Sequence, residues 1–293
     1  MTRKDSLLLH DRVTWPAGYE ERVGALQGHL RAAGQSREGA GQKFRQGPGA
    51  DLVGYRPYRP GEDLRQLDWN LLARLDKPYV RVTREEAGEQ WVICLDVSAS
   101  MGVGPPGKLQ RAAECVVALW ALACQSRAQV RLVLSAGAGD APRVLESAAP
   151  RDLQKPMGFL GQTRAAGEQG LASLFAAPRL LRGAARVFCL GDLLDEPAEG
   201  LLRLRRGPGE LRVLQLLAPE ELDPTPGSRH WWDPESSQRM KLQVGAEQCQ
   251  RYRELLDERL ETWRVLSGKH RFLHLASSSA TAFEDLMGQW LRR

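Results

Sequence analysis

The stretch that decides the fold runs from residue 92 to residue 101 and reads Val-Ile-Cys-Leu-Asp-Val-Ser-Ala-Ser-Met. Its first four residues form a short apolar run rich in β-favouring side chains, which predicts a buried strand of a parallel sheet. In open α/β sheets, ligands bind just beyond the carboxyl ends of such strands. Asp96, Ser98 and Ser100 are therefore predicted to share one loop at the ligand-binding edge. A carboxylate and two hydroxyls are hard oxygen ligands that suit Mg²⁺, although an ordinary strand end closed by turn-forming residues is the alternative.

Composition narrows the class of protein. The chain has 293 residues, 42% of them hydrophobic, which is enough for one large α/β domain or a domain with an extension. Its net charge of +5 is spread along the chain and forms no basic stripe, so we expect no nucleic-acid partner. Five cysteines without a Cys-x-x-Cys pair indicate a reducing compartment. Because the apolar runs are too short for a signal peptide or a membrane span, a cytoplasmic protein without membrane insertion is expected.

The order of predicted elements indicates an α/β fold. Apolar strand-like runs alternate with helical segments from residue 89 onward, which is typical of a doubly wound, mostly parallel sheet with helices on both faces. Pro142 to Leu145 is predicted to be a short edge strand, and residues 171–181 a helix. We expect an N-terminal α+β extension over residues 1–88, composed of a helix, a mobile loop over residues 34–54, a helix over residues 63–74 and a strand. Residues 89–293 would form the main domain, with a polar Trp-bearing insertion near 228–245.

A cation at the Asp96 loop needs further oxygen ligands, because one loop cannot complete an octahedral shell. Asp192 follows the apolar run 186–190, and Thr163 lies in a Gly-Gln-Thr sequence between predicted strands. Each could instead be a helix cap when considered alone. Their positions after other strands nevertheless make both candidate metal ligands.

Two enzymatic interpretations are disfavoured by the residues. The sequence from Gly102 to Lys108 resembles a phosphate-binding loop, but Pro105 and Pro106 remove two N–H donors and position 109 is Leu where Ser or Thr is needed. An aspartyl-phosphate enzyme would have a second carboxylate two residues after Asp96, where this chain has a serine. No general base is evident among the histidines at positions 230, 270 and 274.

The set Asp96-x-Ser98-x-Ser100, Thr163 and Asp192 resembles the metal-ion-dependent adhesion site of von Willebrand factor A-like domains. The segment before the Asp96 loop makes the resemblance more specific. Tyr58-Arg-Pro-Gly-Glu-Asp-Leu-Arg-Gln-Leu-Asp-Trp-Asn-Leu-Leu-Ala-Arg74, followed by Lys77-Pro-Tyr-Val-Arg-Val, is similar to the bacterial family called domain of unknown function 58. The similarity extends from about residue 41 to the C-terminus.

This resemblance implies a von Willebrand factor A-like, non-enzymatic adaptor that acts with a MoxR-type AAA+ ATPase in maturing or remodelling a protein client. It implies that Ser98 and Ser100 bind Mg²⁺ (or Mn²⁺) directly, that Thr163 does so in one state, and that the two aspartates act through water. A partner carboxylate would complete the shell. Two other interpretations remain: a metal-assisted hydrolase that uses the same site, and a structural interaction module with an empty metal site. The sequence does not define the oligomeric state.

Overall fold

The chain folds into two structural units, a larger one comprising Met1–Glu38 and Gln90–Arg293 and a smaller one comprising Gly39–Glu89. The structure is a computed structural model, and it describes residues 11–34, 45–58, 67–85, 89–139, 141–148, 152–195, 200, 209–232 and 239–292. The elements used below are, in chain order, α1 (Tyr19–Gly34), β1 (Arg45–Pro57), α2 (Trp69–Leu75), β2 (Tyr79–Glu85), β3 (Gln90–Leu95), α3 (Lys108–Gln125), β4 (Gln129–Leu134), β5 (Arg143–Ser147), α4 (Gln154–Gly161), α5 (Ala172–Phe175), β6 (Arg186–Gly191), β7 (Glu210–Leu217), α6 (Pro219–Leu222), β8 (Gly227–Trp232), β9 (Arg239–Val244), α7 (Ala246–His270), β10 (Leu273–Ser278) and α8 (Phe283–Arg292).

A six-stranded sheet forms the centre of the larger unit, in the spatial order β5-β4-β3-β6-β7-β10. Its strand pairs are parallel except for β4 with β5, which is antiparallel and lies at the edge. The predicted edge strand at Pro142 to Leu145 is therefore present, shifted by one residue at its start. The predicted doubly wound, mostly parallel sheet is confirmed.

Helices cover both faces of this sheet, because the side chains of a strand buried on two faces alternate between two apolar layers. On one face α1, α3, α4 and α8 pack over Ile93, Leu95 and their neighbours. On the other face Leu171, Leu174 and Trp263 pack over Val92 and Cys94. Almost all of α3 is buried, so it is the central helix of the first layer.

The strand order defines a switch point between β3 and β6. From β3 the chain proceeds to β4 and β5 on one side, and it then returns to build β6, β7 and β10 on the other. The connections leave β3 and β6 in opposite directions, which opens a crevice at their carboxyl ends. Asp96 follows β3 directly and Asp192 follows β6 directly, so both predicted aspartates lie at this crevice.

The smaller unit contains an antiparallel pair of strands, β1 and β2, and the short helix α2. Asp68 caps α2, since its Oδ1 accepts hydrogen bonds from the backbone N–H groups of Asn70 and Leu71 at 3.0 and 3.1 Å. The helix begins at Trp69, later than the predicted residue 63, and residues 59–66 lie outside the described part of the chain.

The smaller unit ends at Glu89, close to the boundary expected at residue 88, but the N-terminal segment does not belong to it. Helix α1 belongs to the larger unit, because Tyr19 and Val23 are buried against its helices and the Tyr19 hydroxyl donates to the backbone oxygen of Glu114 at 2.5 Å. Helical spacing in the sequence defines the apolar face of α1 but gives no information about which surface it contacts.

Two local predictions are corrected. The mobile loop expected over residues 34–54 is in part strand, because β1 begins at Arg45 and pairs with the distant β2; residues 35–44 lie outside the described residues. The helix expected over residues 171–181 is split into α5 and a 3₁₀ turn at Pro178–Leu181, since a proline has no N–H to continue the helix.

The insertion predicted near residues 228–245 is a hairpin of β8 and β9 in a separate two-stranded sheet, with residues 233–238 outside the described part. In the described residues, none of the helices has the length and hydropathy needed to cross a bilayer.

Candidate metal centre at the switch point

Asp96 is held in place at the end of β3 by hydrogen bonds. Its backbone N–H donates to the oxygen of Leu190 on β6 at 2.9 Å, and its side chain is almost fully buried. Its Oδ1 accepts from the backbone N–H of Ser98 at 2.8 Å and from the Ser135 hydroxyl at 3.4 Å. The carboxylate is therefore oriented before any ligand arrives.

The two serines of the loop present their hydroxyls side by side. A 3₁₀ turn over Ala99–Gly102 folds the chain back after Ser98, so that the Oγ atoms of Ser98 and Ser100 lie 3.1 Å apart. The backbone N–H of Ala99 donates to the oxygen of Gly167 at 2.8 Å, which fixes the turn. In an octahedral shell with metal–oxygen bonds of about 2.1 Å, neighbouring oxygens are about 3 Å apart, so this spacing fits two adjacent ligands of Mg²⁺.

Asp192 lines the same cavity from the end of β6. Gly191, just before it, lets Asp96 pack against the β6 backbone, because a Cβ at position 191 would lie 3.0 Å from the Cβ of Asp96. The next residue, Leu193, has φ +55°, and its backbone oxygen accepts hydrogen bonds from Arg259 Nη2 at 3.1 Å and Trp263 Nε1 at 3.4 Å. Helix α7 thus holds the loop of Asp192 in an unfavourable left-handed conformation.

These residues line an open cavity of about 410 Å³ at the switch point. Four of the five predicted site residues line it, namely Asp96, Ser98, Ser100 and Asp192. The remaining lining residues are Glu168, Gln169, Gly170, Ala172, Ser173 and Asp195.

Thr163 is not among the described residues that line the cavity. Its hydroxyl donates to the backbone oxygen of Phe159 at 3.1 Å, one turn earlier on α4, and its side chain is buried. Arg143 Nη1 donates to the same hydroxyl at 3.5 Å. Because Thr163 closes the end of α4 and does not line the cavity, the structure supports the helix-cap interpretation of its side chain.

Glu168 and Gln169 line the cavity from the loop that follows Thr163, and sequence reasoning missed both. The backbone N–H of Ala166 donates to the oxygen of Val97 at 2.9 Å, which ties their loop to that of Asp96. Gly167 has φ +80°, and a Cβ there would lie 2.2 Å from the backbone of Gly137. The signal in the sequence was a Gly-Glu-Gln-Gly turn directly before an apolar helical segment.

The comparisons with known proteins identify the family. The family model described as "Protein of unknown function DUF58" matches residues 54–259. The chain belongs to the DUF58 family. It is 39% identical over 59 residues to the uncharacterised proteins Rv1480 of Mycobacterium tuberculosis and Mb1516 of Mycobacterium bovis. The match covers 20% of this chain and only 18% of the length of those relatives.

Two solved structures are similar to this DUF58 protein. The conserved hypothetical protein BatB from Bacteroides thetaiotaomicron is 15% identical with a TM-score of 0.44, and the match covers 70% of this chain and 97% of BatB. The VWA domain of SpRpn10 is 11% identical with a TM-score of 0.39, and the match covers 69% of this chain and 94% of that domain. The strand order and the position of the Asp96 loop after the central strand β3 define the fold of the DUF58 chain as a doubly wound α/β sheet.

Lys108 of this DUF58 protein, which the sequence analysis considered only as a phosphate-loop lysine, lies behind the cavity. Its side chain is fully buried at the start of α3, and its Nζ donates to Asp192 Oδ2 at 2.9 Å and to Glu221 Oε1 at 2.7 Å. Burial alone would lower the pKa of Lys108, but the two carboxylates raise it above its ordinary value. The lysine is therefore a charged ammonium that faces carboxylates and does not face solvent.

His274 is linked to Asp192 through Gln215. The amide Nε2 of Gln215 donates to the backbone oxygen of Asp192 at 2.7 Å, which turns its Oε1 toward His274 Nε2 at 3.0 Å. Because that oxygen only accepts, His274 carries a proton on Nε2. Burial lowers the pKa of His274 to about 4, so it is neutral at physiological pH.

Proposed function

We propose that this DUF58 protein is a non-enzymatic, metal-dependent adaptor that captures a carboxylate of a protein partner at the switch-point cavity. In this proposal it works with a MoxR-type AAA+ ATPase in maturing or remodelling a protein client. The observation that carries the proposal is the pair of Ser98 and Ser100 hydroxyls, 3.1 Å apart, beside the buried carboxylate of Asp96.

The donor set suits a hard cation. Ser98 and Ser100 would hold Mg²⁺ or Mn²⁺ directly, and Asp96 and Asp192 would act through water. Among the described residues, no three His, Cys, Asp or Glu side chains converge in the manner of a metal centre, so a cation here would depend on the hydroxyls. When bound, the metal would supply a hard, positively charged position for one carboxylate oxygen of a partner.

The lining of the cavity lacks the partners of a catalytic serine. The Ser98 hydroxyl has the Ser100 hydroxyl as its neighbour, and no histidine is among the described residues that line the cavity. His274 is directed at Gln215 and is not paired with a serine. A serine without an adjacent base is a weak nucleophile, which disfavours covalent catalysis by either serine.

The rim of the cavity adds a charge preference. Glu168 and Asp195 are exposed and line the cavity, so two carboxylates face an approaching partner. A partner segment whose metal-binding carboxylate is flanked by lysine or arginine would therefore fit better than a purely acidic segment.

The proposal is tested by measuring binding of the full chain to a purified MoxR-type AAA+ ATPase from the same genome, in Mg²⁺ and in EDTA. We expect binding in Mg²⁺ that is lost in EDTA and in the Ser98→Ala/Ser100→Ala double variant, since both remove the carboxylate-binding position. Ser267→Ala is the matched control, because that hydroxyl lies on the exposed side of α7 and donates to the Arg264 backbone oxygen.

Thermal melts of each variant confirm that it is folded. Binding that is equal in Mg²⁺, in EDTA and in the double variant would contradict a metal-dependent contact. Absence of binding by the folded parent chain in Mg²⁺ would contradict the assignment of the ATPase as partner.

A further inference from the structure

Lys108 carries a buried positive charge. This charge has no direct part in the proposed binding of a partner carboxylate. It lies behind Asp192 and is not among the residues that line the cavity, so its ammonium does not occupy a ligand position. Glu221 holds the ammonium from the other side, and Glu221 Oε2 accepts from the backbone N–H of Ala218 at 2.7 Å. The ends of β6 and β7 and the start of α3 thus meet at one cation.

We propose that Lys108 is a specificity-determining residue that matches the summed charge of the buried groups at the cavity to one divalent cation. This inference rests on the proposed function. The buried or half-buried side chains Asp96, Asp192, Glu221 and Lys108 carry a summed charge of −2, which a single Mg²⁺ neutralises. Glu168 and Asp195 also line the cavity, but they are exposed and their charges are screened by solvent. Without Lys108 the charge would be −3, and the cavity would hold a cation more tightly and repel a partner carboxylate more strongly.

A purely structural role for Lys108 predicts a different pattern. Removing one member of a buried ion pair destabilises a protein whatever its effect on ligands, because it leaves an uncompensated buried charge. A structural lysine would therefore change the melting temperature without ordering the Mg²⁺ affinities by charge. If Lys108 sets the charge, the Mg²⁺ affinity of the variants should rise as the remaining charge becomes more negative. This order should hold even where the melting temperatures of the variants follow a different order.

The test is a series of variants in the full chain, with Mg²⁺ affinity measured by isothermal titration calorimetry. Glu221→Gln changes the charge to −1, and we expect Mg²⁺ to bind about fivefold more weakly. Lys108→Met changes it to −3, and we expect binding about tenfold tighter. Lys108→Met/Glu221→Gln restores −2 and should restore the parent affinity to within about twofold.

Glu261→Gln is the matched control for loss of a glutamate charge. Glu261 pairs with Arg264 on the exposed surface of α7, does not line the cavity, and should leave the Mg²⁺ affinity unchanged. Lys108→Met leaves Asp192 and Glu221 without their cation, so if this variant does not fold, Glu221→Gln and the double variant carry the test.

The outcomes separate this inference from the proposed function. If the parent binds Mg²⁺ and both Glu221→Gln and the double variant bind it with parent affinity, Lys108 is structural and the inference is overturned while the metal site stands. If the folded parent binds no Mg²⁺, the proposed function fails and the inference fails with it. Mg²⁺ affinities that are highest for the −3 variant, intermediate at −2 and lowest at −1 support both the proposed function and this inference.

Discussion

At the scale of single residues, the site depends on hydrogen bonds that fix the orientation of its candidate ligands. Asp96 is fixed by Ser98 and Ser135, and the backbone of Asp192 is fixed by Gln215. Each contact satisfies a buried polar group that would otherwise be costly to remove from water. The candidate ligands therefore occupy defined positions without a cation, which reduces the ordering required on binding.

His274 makes stability depend on pH below neutrality. Its pKa is about 4 in the folded chain, against an ordinary value of 6.5, so the unfolded chain binds the proton more readily. The contribution of neutral His274 to the free energy of unfolding is therefore full above pH 6.5. It falls by about 3 kcal/mol as the pH drops toward 4.

Urea unfolding of the parent and of His274→Gln between pH 4 and pH 8 measures this effect. The variant should have a shallower pH dependence by about that amount. The difference between the two proteins at pH 8 gives the cost of lost packing and serves as the internal control. Identical pH dependence in the two proteins would show that His274 does not titrate as described.

At the scale of elements, the loop before α5 depends on one glycine. Gly167 combines φ +80° with a backbone approach to Gly137, and its oxygen accepts the hydrogen bond from Ala99 in the Ser98 loop. Both the strain of an L side chain at positive φ and a steric clash therefore oppose substitution at this position. Gly167 thus connects its own loop to the loop of Gly137 and to the loop of Ser98.

Gly167→Ala is predicted to destabilise the larger unit by about 3 kcal/mol and to weaken Mg²⁺ binding. Gly183→Ala is the matched control, because Gly183 has the same φ of +80° but a Cβ at that position would have no other atom within 4 Å. It should cost only about 1 kcal/mol and leave Mg²⁺ binding unchanged. Chemical denaturation and calorimetry of the two variants measure the difference, and equal effects would contradict a steric role for position 167.

At the scale of the whole molecule, the sequence predicted features that depend on local pattern. The apolar runs at β3 and β6 and the carboxylates after them were sufficient to predict the parallel sheet and the position of Asp96 and Asp192 at one cavity, because parallel strands end at one edge. Thr163 could not be placed from its position alone, since a hydroxyl near a helix end bonds as readily to its own backbone as to a ligand.

Features that depend on distant contacts were missed. Lys108 follows a Gly- and Pro-rich sequence that suggests a nucleotide loop, and only the folded chain shows that its ammonium pairs with Asp192 and Glu221. Similarly, the apolar face of α1 was visible in the sequence, whereas its packing in the larger unit depends on residues more than ninety positions away, such as Glu114. A local sequence pattern does not show which distant residues pair in the folded chain.

The central claim is that the cavity of Asp96, Ser98 and Ser100 holds a hard divalent cation. The most direct test is a crystal of the full chain soaked in Mn²⁺ and measured for anomalous scattering, with the Ser98→Ala/Ser100→Ala variant as control. The account predicts an anomalous peak within about 2.5 Å of both serine hydroxyls in the parent and no such peak in the variant. Absence of the peak at saturating Mn²⁺, or a peak bound only by Glu168 and Asp195 at the rim, would contradict it.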